Sequence, residues 1–147
     1  MEHTEEELKR FIDACTTARR IVETMPELPK GIKPRHIHVI DAIVLTEQQK
    51  GKVQVSDISR HLNVTMPSVT RLVRELEEQG VLVKYPDRED GRNVLLKLTA
   101  LGQEYYQRYV HDYYQELGQR LEEISRADLK TAVQTLSLIH ISEPTRH

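Results

Sequence analysis

Between Ser56 and Leu98 two short helical stripes are followed within a short span by two strand-like runs, and this succession constrains the fold more than any other feature. Ile58 and Leu62 are four apart, the stripe of a short helix beginning near Asp57, with Ser56 as its expected N-cap and Asp57 at its positive end. Asn63-Val64 predicts a tight turn. Thr65 then caps a helix over Met66–Gln79, whose Val69, Leu72, Val73 and Leu76 follow an i, i+3, i+4, i+7 pattern, with Gly80 at its C′ position. Val81–Tyr85 and Val94–Leu98 read as two strands around a polar loop, Pro86–Arg92, with Gly91 near its tip. Short helix, turn, second helix and ribbon make a winged helix-turn-helix.

The flanks are helical. Leu8, Phe11, Ile12, Cys15, Ala18, Val22 and Met25 form one apolar stripe over Thr4–Met25, opened by a capping box of Thr4 and Glu7. Pro26, Pro29, Gly31 and Pro34 mark a linker. A second helix over Arg35–Gln49 carries Ile37, Ile40, Ile43, Val44 and, at its edge, Val39, and stops at Gly51. Val53-Gln54-Val55 predicts a very short strand. Thr99 caps a long helix to about Ile124, striped by Leu101, Tyr105, Tyr109, Val110, Tyr113, Leu117, Leu121 and Ile124. Ser125 caps a last helix with Leu129, Val133 and Leu136. The expected class is mainly α with a small β-wing: a helical dimerisation region, 1–34 and 99–136, around a winged helix-turn-helix at 35–98. Residues 137–147 look like translated adaptor or vector sequence and are set aside from functional reasoning.

Charge supports a local contact surface rather than a general polyanion coat. The chain has a net charge of −2, yet from Lys50 to Leu98 nine Lys and Arg face seven Asp and Glu. On the second helix of the pair, the side opposite the Val69 stripe presents Pro67, Arg71, Arg74 and Glu78, flanked by Ser68, Thr70 and Glu75. Thr65, Pro67, Ser68 and Thr70, near the helix start, and Arg71, whose forked donors match guanine O6 and N7, are candidate groove readers. Arg74 suits a phosphate. Glu75, Glu77 and Glu78 are expected to face away from DNA. In the wing, an Arg beside the tip glycine suits the narrow minor groove, with Asp87 and Asp90 holding Arg88 and Arg92 extended. A solvated helix face and a self-paired hairpin tip are the alternatives.

Several segments together resemble the MarR family of bacterial transcriptional regulators. They are Leu62-Asn63-Val64-Thr65, Val69-Thr70-Arg71-Leu72-Val73, Leu76 through Leu82, the wing Asp87-Arg88-Glu89-Asp90-Gly91-Arg92, and Leu98-Thr99-Ala100-Leu101-Gly102. The resemblance spans about Thr4 to Leu136. It implies an obligate homodimer with one reading head per subunit on a pseudo-palindromic double-stranded DNA operator, most often as a repressor released by an effector. It matches Arg92 to the wing arginine of the minor groove and Arg88 to the arginine held in the wing's Asp-Arg network. Ser59 stands where many members carry Ala. The resemblance also implies a site for a small aromatic or anionic effector, with Arg19, His38, Tyr109, His111 and Tyr113 as candidate lining. Dimerisation has a reason of its own as well, because the flanking apolar stripes lack an obvious partner within one chain.

Other chemistries find little in the sequence. A single cysteine, Cys15, excludes an internal disulfide and a multi-cysteine metal site, and its place on an apolar stripe suits an inert buried thiol better than a redox sensor. His36 and His38, two apart on a helix, point away from each other and cannot chelate together, and His111 would have to complete any such site. No phosphate loop or nucleophile–base pair is present, so neither an enzyme nor a cofactor or metal is expected. No apolar run is long enough to span a membrane and the N-terminus is acidic, which predicts a cytoplasmic protein. A winged-helix docking module and an effector-independent DNA binder are the competing functions.

Overall fold

The computed structural model describes residues 2–21 and 24–139. Val22 of the first stripe, and 140–147 of the tail set aside above, lie outside the described residues. The elements run α1 (Glu5–Arg19), α2 (Pro34–Lys50), α3 (Val55–Leu62), α4 (Met66–Glu78), β1 (Leu82–Pro86), β2 (Val94–Leu98), α5 (Ala100–Tyr106), a π-helical turn (Gln107–His111), α6 (Asp112–Arg120) and α7 (Arg126–Leu136). The chain divides into two compact units, 1–113 and 114–147. The fold is mainly helical with one two-stranded antiparallel sheet, a winged helix-turn-helix.

In the first unit α2 is the central helix, packed against α3, α4, α5 and β2. Ile37, Val39, Ile40, Ala42 and Ile43 are buried along it, so Val39 belongs to the core and not to an edge. From α4, Val69, Leu72, Val73 and Leu76 all enter the same core, as the spacing predicts. Full burial stabilises by about 1.5–3 kcal/mol for each large aliphatic side chain. The linker is drawn onto this core by Ile32 and by the Gln79 side-chain amide, which donates to the Gly31 carbonyl at 2.7 Å. β1 and β2 pair from Leu82↔Leu98 to Pro86↔Val94, burying Leu82, Leu95, Leu96 and Leu98.

Several elements depart from the sequence expectation. α1 opens on the expected Thr4–Glu7 capping box but ends at Arg19, not Met25. The Thr16 hydroxyl donates back to the Ile12 carbonyl, and the Arg20 and Ile21 amides bond only three residues back, which tightens the last turn. Val53–Val55 forms no strand: Val55 already starts α3, with Gln54 rather than Ser56 as N-cap and the Asp57 carboxylate accepting the Gln54 amide at 2.9 Å. What remains of the expected strand is one bond, from the Leu96 amide to the Val53 carbonyl at 2.8 Å. The long helix is interrupted by the π turn and ends at Arg120, two residues after Gly118, a weak helix former. Outside the core, Leu8, Phe11 and Ile12 of α1 are exposed. Within the second unit, Leu129, Val133 and Leu136 of α7 are exposed as well. No helix among the described residues is long and apolar enough to cross a membrane.

Candidate nucleic-acid interface

The helix pair is locked by short-range chemistry. Asn63 takes the left-handed conformation, φ 54°, that ends α3. Ser59, in place of the alanine of the resemblance, donates its hydroxyl to the Val64 carbonyl at 2.6 Å and ties the turn to α3. Thr65 caps α4: its hydroxyl oxygen accepts the Ser68 amide at 3.4 Å and its O–H donates to the Ser68 Oγ at 2.9 Å. Burying Val69, Leu72, Val73 and Leu76 leaves Pro67, Thr70, Arg71 and Arg74 exposed and Ser68 half-buried. The Arg71 Nε lies 3.7 Å from Glu75, while Arg74 makes no ion pair with a described carboxylate. Glu77 turns to Lys84 of β1 at 3.5 Å.

Two links were not foreseen. His36, only 1% exposed, accepts the Lys33 amide on Nδ1 at 2.9 Å, which leaves the proton on Nε2 to be donated to Glu75 at 2.8 Å. Both ring nitrogens are thereby used, and His36 is a satisfied core histidine rather than a ligand. This bond is also the first cause that holds the Glu75 carboxyl below its ordinary pKa. A signal for it existed, since His36, Ile40 and Ile43 share the buried arc of α2. The second link anchors the wing. Asp87 is buried and accepts the Glu89 amide at 3.0 Å, and both its oxygens lie 3.3 Å from the Lys52 ammonium, which also reaches Glu89 at 2.7 Å. The expected Asp87 and Asp90 clamps on Arg88 and Arg92 are not formed: Asp90 accepts the backbone amide of Arg92 at 3.1 Å, and both arginines are exposed without an ion pair to a described carboxylate. Lys52 outcompetes them because it approaches from the α2–α3 loop, beside the Val53–Leu96 bond.

The Glu89 amide, followed by Lys52, keeps the Asp87 carboxyl below its ordinary pKa. A carboxylate depressed in the folded state contributes stability above the ordinary carboxylate range, lost as pH falls through the folded value. Protection against hydrogen exchange at the Glu89 and Asn93 amides, relative to the intrinsic rate at each pH, is therefore expected to hold from neutral pH to about pH 5 and to fall below about pH 4. In Asp87→Asn the acid loss of protection at these two amides should vanish. If it persisted unchanged, Asp87 would not be the wing's acid-labile anchor.

The candidate effector residues have the following surroundings. His38 lines a cleft of about 420 Å³ with Arg35, Leu62, Ser68, Arg71 and Leu72. Tyr109 is buried, edge-on to Tyr105 at 5.7 Å between ring centres, with the Arg108 guanidinium 5.5 Å from its own. Tyr113 donates its hydroxyl to the Ile21 carbonyl at 3.2 Å. His111 meets Gln107 and Asp112, and Arg19 is exposed on α1. Cys15 is half-buried with a free thiol. Among the described residues no three His, Cys, Asp or Glu side chains stand close enough to hold a metal ion.

Comparison with known proteins agrees with this architecture. The HTH-type transcriptional regulator FarR of Neisseria gonorrhoeae is 28% identical over 75 residues, 51% of this chain and 46% of that protein, so the chain spans about half the length of that relative. Two solved structures share the fold. One is the PcaV transcriptional regulator from Streptomyces coelicolor in complex with its natural ligand, with a TM-score of 0.64, 16% identity and coverage of 95% of this chain and 97% of that one. The other is the S. aureus MepR–DNA complex, with a TM-score of 0.62, 19% identity and coverage of 96% and 99%. The MarR family model matches residues 30–93, from the linker through α2, α3, α4, β1 and the wing loop. That winged-helix segment is similar to the MarR family, and the solved structures show the same fold.

Proposed function

We propose that the chain is a homodimeric, sequence-specific DNA-binding transcriptional repressor acting in the cytoplasm on a pseudo-palindromic operator, and not an enzyme. The observation that carries this reading is the outer side of α4. It exposes Thr70, Arg71 and Arg74, while its carboxylates at 75 and 77 are drawn aside to His36 and Lys84. A helix face that presents two exposed guanidiniums, with one neighbouring carboxylate tied to His36 and another to Lys84, suits a phosphate-lined groove. The wing adds two exposed guanidiniums, Arg88 and Arg92. Support for the homodimer comes from the exposed apolar residues of α1 and of α7, which need a partner. MepR was solved on DNA and PcaV with a ligand. For an effector, the cleft beside His38 offers two guanidiniums and two leucines, suited to a small anion with an apolar body. Such a ligand would engage Arg71 and compete with its use on DNA.

The test is footprinting on operators selected from random DNA. Two symmetric half-sites about 34–36 Å apart are expected. Arg71→Ala should cost about 1–3 kcal/mol on the selected site and relax base preference, whereas Arg74→Ala should weaken all sequences alike and shallow the salt dependence. A single protected half-site would refute the dimer. Equal losses on selected and random DNA for both variants would refute Arg71 as a base reader. Absence of salt-dependent DNA retention would leave a docking module.

A further inference from the structure

We infer that Glu75, held in place by buried His36, is a positioning residue that sets the orientation of Arg71 for base reading. The inference rests on the assignment of Arg71 as a base reader and concerns what gives that side chain its direction. An exposed arginine loses rotamer freedom when it engages a base, and an anchor on the free protein reduces that loss. Glu75 is one helical turn beyond Arg71, so their side chains share a face of α4. An exposed pair of this kind is ordinarily weak, because both side chains must be ordered to form it. Glu75 differs, since its other oxygen already accepts the Nε2–H of His36 at 2.8 Å. That ring is itself fixed by the Lys33 amide at 2.9 Å and by near-complete burial. The carboxylate is thus ordered by the core, and Arg71 meets a fixed anion.

The atom involved matters as much as the distance. Glu75 approaches Arg71 through Nε, at 3.7 Å. The two terminal nitrogens remain available as an end-on fork for an acceptor pair such as guanine O6 and N7. A purely structural role for Glu75, tying α2 to α4, predicts equal losses on every DNA sequence, because only the folded fraction would change. A positioning role predicts loss on the cognate site alone. Removing a negative charge from the DNA side does not weaken phosphate attraction.

Glu75→Gln separates the two, because its carbonyl oxygen still accepts from His36 while the charge facing Arg71 is gone. Affinity for the selected operator, affinity for random DNA of equal length and thermal midpoint are measured for the parent, Glu75→Gln, Arg71→Ala and the double variant. The operator-to-random ratio is expected to fall about tenfold in Glu75→Gln, with random binding undiminished. In the Arg71→Ala background the same substitution should not lower the ratio further. If Arg71→Ala lowers the ratio and Glu75→Gln does not, or if Glu75→Gln weakens both DNAs by one factor, the positioning role is overturned while the base reader stands. If Arg71→Ala leaves the ratio intact, the base-reading assignment fails and the inference fails with it. A Glu75→Gln effect that persists undiminished in the Arg71→Ala background would assign Glu75 a role independent of Arg71.

Discussion

Gly102→Ala is expected to destabilise the protein by about 3 kcal/mol and to lower its thermal midpoint by roughly 10 °C, although alanine is the better helix former. Gly102 lies buried in the first turn of α5, where its amide donates to the Thr99 hydroxyl oxygen at 3.2 Å. Thr99 is itself bound to the end of α4 and the start of the ribbon. Its hydroxyl donates to the Gly80 carbonyl at 2.5 Å and its amide to the Val81 carbonyl at 3.0 Å. These bonds draw α5 so close that a Cβ on residue 102 would collide with the Val81 carbonyl oxygen and press on Leu98 Cβ at 3.0 Å. Neither neighbour can yield, because one is backbone already accepting a hydrogen bond and the other is a core side chain. The control is Gly118→Ala, where a Cβ would meet nothing within 4 Å. Denaturant unfolding of the two variants decides the matter. A Gly102→Ala protein as stable as the parent would show that the close approach of α5 is not enforced.

This contact gives a physical reason for the Leu98-Thr99-x-x-Gly102 run, which the sequence showed only as a resemblance. Local patterns were legible in general. The 3.6-residue spacing of Val69, Leu72, Val73 and Leu76 gave the buried face of α4, and hence its outer face, without any tertiary information. Thr4, Thr65, Thr99 and Ser125 were each readable as caps because a cap bond spans only three residues. The missed features join residues far apart in the chain. Glu75 meets a histidine 39 positions away and Asp87 a lysine 35 positions away, and no periodicity records such a pairing. Local charge proximity in the wing instead suggested Asp–Arg pairs, which lose to a lysine delivered by the α2–α3 loop. The π turn was hidden for a related reason: Tyr105, Tyr109 and Tyr113 fit an unbroken stripe of fours, so the pattern carries no mark of the inserted turn.

Arg92→Ala is expected to lower affinity for the cognate operator on the order of 100-fold while leaving the thermal midpoint unchanged. The wing braces itself without this side chain. The Asp87 amide donates to the Asn93 carbonyl and the Asn93 amide to the Asp90 carbonyl, both at 3.0 Å, and the Arg92 backbone amide is taken by Asp90. The guanidinium therefore owes nothing to the fold, and no ion pair with a described carboxylate must break before it enters a groove. A narrow minor groove concentrates the potential of both strands, so a cation inserted there gains more than one resting on a single phosphate. Gly91 does not adopt a positive φ, and a Cβ there would meet nothing within 4 Å, so the reach of Arg92 does not depend on glycine's backbone freedom. Because Lys52 rather than Arg88 holds Asp87, Arg88→Ala is expected to weaken binding without loosening the wing, contrary to the bracing role suggested by the resemblance. Salt titrations of both variants on cognate and random DNA, beside amide exchange in the wing, read these effects separately. Parent-like operator binding by Arg92→Ala at every salt concentration would reduce the hairpin to a solvated tip and leave recognition to α4 alone.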